Sequence, residues 1–315
     1  MHSSHYDKEK GEFLTKVLVI LCSYNPNKTL LEQVDSIILQ KNVLIEVQIF
    51  DDNSSMGGKY LEHCAEYNNV TVHYCTSSGS AGKNFLRALT TVEFSSANYV
   101  ALSDQDDVWK KNKLYSAVME MNENGCSGYS SNLSVWDGFS ILGELKKPGP
   151  RDICEYYFQG SSAGCTYVLK SDICGNLVNI INKENFLNFS NLVSHDWLIY
   201  FLARSLGYQW HHSKESSILY RQHDNNVYGY EVGFLSRIRV KLSWISSGLL
   251  KDNFDALSLY SKHLNNPFNY TLSFRNFNFL VKNLFSIRRE GAMLSIVMFI
   301  LVLNYMMSVK SKHRQ

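Results

Sequence analysis

Prolines are scarce, four in 315 residues, and no low-complexity tract separates the apolar segments, so a disordered chain is not expected. Seven cysteines (Cys22, Cys64, Cys75, Cys126, Cys154, Cys165 and Cys174) form no Cys-x-x-Cys pair and no zinc-ligand spacing. Several lie inside apolar runs, which fits reduced core residues of a cytosolic protein. The N-terminal MHSSHYDKEKGEF lacks the apolar centre of a signal peptide, so export is not expected. No Gly-x-Gly-x-x-Gly follows the first strand-like run, which disfavours a dinucleotide-binding dehydrogenase. The apolar run Ala292–Met307 has sixteen residues, short of the ~20 that span a bilayer.

What is present is a chain with 45% apolar residues, room for one large α/β domain with an appendage. The formal net charge of +2 is unevenly placed: residues 226–315 carry 12 basic and 4 acidic side chains, and residues 1–225 carry 19 basic and 25 acidic. Lys16–Cys22 (KVLVILC) reads as a strand buried on both faces. After it, helical spacing over Leu30–Leu39, Lys59–Tyr67 and Lys83–Val92 alternates with strand-like Leu44–Phe50, Val70–Cys75 and Tyr99–Leu102. Strict alternation predicts a doubly wound parallel sheet.

Chemistry gathers where these strands end. Tyr99–Trp109, YVALSDQDDVW, runs from a buried strand into Asp104, Asp106 and Asp107. Ligands of open α/β sheets bind at the carboxyl ends of strands. Asp104 and Asp106, two apart, can share one divalent ion, and hard oxygen ligands suit magnesium or manganese. Acids after a strand also cap helices, and Asp107 precedes a helical pattern over Trp109–Asn124. Ser23 with Asn25, Asp51 with Asp52, and Lys83 with Asn84 end the other βα units, and such clusters in successive loops suggest a nucleotide site. Lys83 and Lys113 either add positive charge near phosphates or are solvated helix lysines.

The second half offers an alternating strand, Tyr129–Trp136, and a proline-and-glycine loop, Lys146–Asp152. The segment Tyr156–Thr166 ends in a small-residue turn, either a close backbone approach to ligand or an ordinary strand entry. Asp196, in Ser194-His195-Asp196-Trp197, opens a helical run over Leu198–Leu206, and an acid in a first helical turn is common for dipole reasons alone. In ILYRQHDNN, Arg221 and His223 are candidates for a diphosphate, and His223 for a third metal ligand. His211 and His212 lack a partner at metal spacing and read as structural. Beyond this, Val232–Leu284 reads as helical, basic and aromatic-rich. Flanking cations suit Ala292–Met307 to a membrane face, with a buried helix or a tilted span as alternatives. Nucleic-acid binding is not expected, because the basic surplus is confined to this tail.

The order SYNP, DDNSS, a glycine loop with Asn84, SDQDDVW with Lys113, and YRQHDNN resembles the family 2 glycosyltransferases of the GT-A fold. More narrowly it is similar to bacterial rhamnosyltransferase-like members that build cell-surface polysaccharides such as O-antigen or capsule. The resemblance covers roughly Val17–Gly229. It implies a mixed, mainly parallel α/β sheet with a helical, basic C-terminal extension. It divides the chain into a polar tail (1–14), a catalytic domain (15–230, with a nucleotide half 15–125 and an acceptor half 126–230) and a C-terminal region (231–315) whose segment 292–307 meets the membrane. Asp52 resembles the acid that bonds the pyrimidine base, which Ser23–Asn25 would cradle. Asp104 and Asp106 resemble the pair that holds Mg2+ or Mn2+ on the diphosphate, with Asp106 favoured as direct ligand. Asp196 matches the general base of inverting members, and Arg221 and His223 match a segment that closes over the nucleotide-sugar. The implied donor is dTDP-L-rhamnose, with UDP-hexose and UDP-N-acetylhexosamine users sharing the pattern. The implied acceptor is a glycan on a lipid diphosphate at the cytoplasmic membrane face. A nucleotide-binding membrane adaptor without catalysis and a metal-dependent phosphohydrolase or nucleotidyltransferase are the other readings.

Overall fold

A computed structural model describes residues 6–7, 12–13, 15–150, 154–222, 246–288 and 291–312. Tyr6–Asp7 and Glu12–Phe13 pair as a short antiparallel ribbon. The first half alternates β1 (Lys16–Ser23), α1 (Thr29–Ile38), β2 (Leu44–Asp51), α2 (Gly58–Cys64), β3 (Val70–Tyr74), α3 (Ala81–Thr91) and β4 (Tyr99–Ser103). β2 and β4 flank β1 in parallel, and β3 lies beside β2. The chain thus winds outward from β1 on one side and returns to its other side, so a crevice opens between the ends of β1 and β4.

The second half completes a nine-stranded sheet in the order β3-β2-β1-β4-β8-β6-β9-β5, with β7 paired to β6. Its strands are β5 (Val108–Trp109), β6 (Gly128–Trp136), β7 (Ile141–Leu145), β8 (Val168–Lys170) and β9 (Trp210–Arg221). Its helices are α4 (Lys113–Glu123), α5 (Ser171–Ile181) and α6 (His195–Ser205). β8 is antiparallel to both β4 and β6, whereas β9 runs parallel to β6, so the sheet is mixed. Alternate residues of β1 serve opposite layers. Val17, Val19 and Leu21 pack with α1, α2 and α4, while Leu18, Ile20 and Cys22 pack with α3, α5 and α6. Two-sided burial is why β1 reads as one apolar run.

The pattern from Trp109 to Asn124 is not one helix. Val108 and Trp109 pair antiparallel with Leu219 and Ile218, and α4 begins only at Lys113 behind Asn112. Asp107 therefore caps no helix. Trp109 and Lys113 are four apart and in contact, with the ammonium 3.7 Å from the indole centroid, which mimics helical periodicity. Lys113 is itself buried, so it is neither a solvated helix lysine nor a residue at the phosphate rim.

Past the described gap lie α7 (Leu249–Ser261), α8 (Phe274–Lys282) and α9 (Ala292–Lys312). They share one apolar cluster with β1, α5 and α6. Tyr157, Phe158, Phe268, Tyr270 and Phe254 form its aromatic centre. α9 has 21 residues, longer than the sixteen-residue apolar run, because Ser308–Lys312 continue the helix. Its stretch Ala292–Val309 is long and apolar enough to cross a membrane by length and composition. One side of it is packed inward at Met298, Val302, Tyr305 and Met306. Met306→Ala is accordingly expected to cost about 2–5 kcal/mol in urea unfolding of the full chain. An unchanged midpoint would mean that α9 does not pack on the core.

Candidate active site

Each strand end contributes, and short polar contacts tie the contributions together. At the end of β1, Ser23 Oγ donates to Asp51 (3.0 Å). Asn25, at φ 45°, uses Oδ1 to accept from the backbone of Ser55 (3.0 Å) and Met56 (3.2 Å), so it braces the DDNSS loop. Asp52 accepts from Ser78 N (2.6 Å) and Oγ (2.9 Å) and from Arg87 (3.3 Å). Asn84 is buried and donates to Phe50 O (2.8 Å), leaving its Oδ1 without a hydrogen bond. Lys83 reaches across to Leu187 O (3.0 Å), which joins α3 to the loop before α6.

The DQDD loop is held from both sides. Gln105 makes two hydrogen bonds to the Tyr24 backbone, accepting from N (3.0 Å) and donating to O (3.1 Å). Arg221, at the end of β9, donates from Nε to Asp106 O (2.8 Å) and from its backbone N to Asp107 Oδ1 (3.2 Å). Its guanidinium also pairs with Glu32 and stacks 4.5 Å from the Trp136 ring centroid. Arg221 thus clamps the acidic loop from behind. His223 lies outside the described residues.

Antiparallel β8 carries the turn before it to this loop. Ligand atoms of Asp104, Asp107 and Cys165 all lie within 4.8 Å of one another. Burial and the charges of Asp106 and Asp196 raise the Asp104 carboxyl to about 7. Burial together with Asp104 and Asp106 pushes Asp107 up as well, and its Oδ2 has no hydrogen-bond partner. Burial, then Asp107 and Asp104, push the Cys165 thiol well up. The oxygens fit a hard divalent cation, which would relieve the repulsion among them; the protonated thiol is a poor ligand for one.

Asp196 comes to the same place from α6. Its Oδ1 accepts from Trp197 N (2.7 Å), and burial raises its carboxyl to about 6, opposed by that hydrogen bond and the charge of Lys147. The start of α6 fits closely because its neighbours are small: a Cβ on Gly164 would sit 2.3 Å from His195 Nε2, and one on Gly82 2.3 Å from Val193 O. That packing accounts for the glycine in the turn before β8. His195 stacks on Phe85 with ring centroids 4.0 Å apart, and desolvation lowers it to about 3, so the ring is neutral. α7 secures the segment, since Asn253 Oδ1 accepts from Ser194 N (2.9 Å). His212 bonds Ser130 (2.9 Å) and Asn132 (3.2 Å), and His211 bonds Glu120 (2.8 Å), as structural residues do.

Sequence reasoning missed Ser78, Arg87, Gln105, Glu32 and Cys165. Arg87 follows Asn84 by three and shares its helix face, a signal that was available. Cys165 had none, because only the pairing of Val168 with Ala101 brings it here.

Residues 18–155 match the family model Glycosyl transferase family 2. The chain is 31% identical over 253 residues to dTDP-rhamnosyl transferase RfbG of Shigella flexneri, covering 74% of this chain and 86% of the relative. It is 26% identical over 239 residues to UDP-Glc:alpha-D-GlcNAc-diphosphoundecaprenol beta-1,3-glucosyltransferase WfgD of Escherichia coli, covering 75% and 81%. In fold it is similar to the crystal structure of S. aureus TarS 1-349 in complex with UDP-GlcNAc, with a TM-score of 0.51 and 15% identity over 96% of this chain and 92% of that one. A mixed, mainly parallel sheet of this kind with a helical C-terminal segment is the GT-A fold. The chain belongs to glycosyl transferase family 2, and it is a nucleotide-sugar glycosyltransferase of polysaccharide synthesis.

The acids set a testable pH dependence. Asp104 has an ordinary pKa of ~3.9 in an unfolded chain. With about 7 in the folded state, it keeps a proton there that the unfolded chain releases. In chelator, this stabilising contribution is complete below about pH 4 and is lost as pH rises through about 7. The melting temperature should therefore fall over that range and recover with Mn2+ at the alkaline end. A flat profile in chelator, with no effect of Mn2+, would count against a metal-holding acid cluster.

Proposed function

We propose that the chain transfers a sugar, with inversion, from a nucleoside-diphosphate donor to a lipid-linked glycan at the cytoplasmic membrane face. One observation carries this reading: Asp196, from the second half, lies near enough to the DQDD loop for its charge to raise Asp104. That proximity supports a base for an acceptor hydroxyl acting beside a site for a diphosphate. On this reading residues 15–125 hold the nucleotide, 126–230 the acceptor, and 231–315 the membrane contact, with 1–14 a polar tail.

Asp52, oriented by Ser78 and Arg87, receives the base of the nucleotide, and Ser23 and Asn25 shape the loop beneath it. Lys83 and Asn84 support that pocket from α3. Asp104 and Asp106 would hold Mg2+ or Mn2+, with Asp106 favoured as direct ligand, Arg221 fixing their loop, and His223 the candidate for a further ligand. When bound, the cation neutralises the diphosphate that departs. The acceptor oxygen attacks the anomeric carbon as the bond to the diphosphate breaks. Asp196 takes the hydroxyl proton, and the leaving group departs with the electron pair. Only one base is needed on the face opposite the leaving group.

The donor best supported is dTDP-L-rhamnose, from the 31% identity to a dTDP-rhamnosyl transferase. The likeness to WfgD supports a UDP-hexose as second reading. Its diphosphoundecaprenol acceptor gives the lipid-linked proposal a precedent. Calorimetry with dTDP-rhamnose, UDP-glucose, UDP-galactose and UDP-N-acetylglucosamine, each with Mn2+ and with chelator, tests the donor. Metal-dependent binding of dTDP-rhamnose is expected, and Asp106→Asn should abolish the metal dependence. Tight binding of a UDP-sugar alone would replace rhamnose, and no binding of any would point to a donor outside the panel or revive the adaptor reading.

Asp196→Asn should leave donor affinity intact and lower turnover ~100-fold or more, as loss of a general base does. A base held at about 6 must be ionised to act, so wild-type turnover should decline as pH falls through that value. Turnover that survives the substitution would assign the base elsewhere.

A further inference from the structure

Helix α9 has two faces of different character. Its inner face is part of the protein core: Val302 and Met306 are fully buried, and Tyr305 OH donates to Asp255 (2.6 Å) on α7. Its outer face is apolar and bare, with Met293 61% and Ile300 50% exposed and Ile296 beside them. α8 continues that surface. Phe277 lies with its ring 6.5 Å from Phe299 of α9, and Phe274 and Phe285 are 86% and 64% exposed. Exposed aromatic and aliphatic groups in one continuous patch mark a docking surface.

The charge around the patch specifies the occupant. Arg275 and Lys282 stand exposed on α8 among these aromatics. No acid occurs from Tyr270 to Arg288 or from Ala292 to Gln315, whereas Lys310, Lys312 and Arg314 follow the apolar stretch. Glu290 is the one acid from Tyr270 to Gln315, and so basic a balance beside an apolar face suits an anionic bilayer better than a protein partner of ordinary mixed charge. The inner face decides the orientation. Crossing a bilayer would require α9 to leave the core and carry Val302, Tyr305 and Met306 with it, so the helix can meet lipid only on its outer side.

We propose that the outer faces of α8 and α9 form an in-plane docking surface for an anionic lipid membrane, with α9 lying along the membrane and not across it. This deepens the membrane-borne acceptor reading and rests on it. Aromatic rings enter the headgroup boundary, while Arg275 and Lys282 meet lipid phosphates.

The test is flotation of the full chain with vesicles of phosphatidylglycerol and phosphatidylethanolamine, compared with phosphatidylcholine alone. Flotation is expected only with the anionic vesicles, weakened by salt and fully reversed by alkaline carbonate. Ile296→Asp with Ile300→Asp, and separately Phe274→Ser with Phe277→Ser, should each weaken binding about tenfold or more. Both variants should keep donor affinity and near-ultraviolet circular dichroism, because the altered side chains are exposed. Arg275→Gln with Lys282→Gln should weaken binding and reduce its salt dependence. A wild-type chain that stays with the unbound fraction, or variants that float as well as it does, would overturn the surface. Resistance to carbonate would replace it with a span. A dimer in sedimentation that Ile300→Asp dissociates, without vesicle binding, would assign the face to a second copy. Loss of flotation with intact donor binding refutes this surface alone, whereas absent donor binding with intact flotation refutes the functional reading alone.

Discussion

Like charges forced together govern the architecture of the site. Asp104, Asp106 and Asp107 follow one another off the central strand, and Asp196 approaches them from α6. Their repulsion would splay the loop if nothing restrained it. The restraint comes from neutral and cationic groups at its edges: Gln105 on the Tyr24 backbone, and Arg221 on the Asp106 carbonyl and the Asp107 carboxyl. Lys113, buried against Trp109, lies close enough to Asp107 to feel its charge, but burial lowers its ammonium to about 7. None of these groups neutralises the acids outright. Protons held on Asp104 and Asp107, whose carboxyls burial and their neighbours push up, relieve much of that repulsion, and a cation entering there would displace them.

The supports of Asp196 come from farther away. Asn253 on α7 fixes Ser194, Trp197 Nε1 donates to Tyr156 O (3.0 Å), and Phe254 meets the Trp197 ring edge-on at 5.8 Å. Helices beyond the sheet thus act as the buttress of the second half of the site. α7 and α9 are joined in turn through Tyr305 and Asp255. The C-terminal helices are part of the apparatus that positions α6, and their aromatic content reflects that packing as much as any surface role.

The first half of the fold was legible because its signals are local. Buried parallel strands are continuous apolar runs, and polar turns after them mark the functional rim; β1, β2 and β4 and their end loops could be read directly. The reading weakened wherever a contact depends on distant pairing. Trp109 pairs with Ile218, so an apparent helix start is a strand. Lys113 looks like any helix lysine until the chain closes over it. Asp107 looks like a cap, but its environment is set by β9 and the turn that contains Cys165. α9 looked too short for a bilayer because polar Ser308, Lys310, Ser311 and Lys312 hide a continuing helix. Composition marks where apolar residues stop, whereas backbone hydrogen bonding decides where a helix does.

The placement of β8 has a consequence for how the molecule is made. β4 is parallel to β1 on one side, but its other side is satisfied only by Val168–Lys170, which also joins it to β6. As synthesis proceeds from the N-terminus, the strand that leads into Asp104, Asp106 and Asp107 stays an open edge until that short segment emerges. Open edges pair readily with the wrong chain. A three-residue strand, by inserting antiparallel between β4 and β6, is therefore the closure that protects the nascent enzyme from self-association, and chains interrupted before it should accumulate as aggregates.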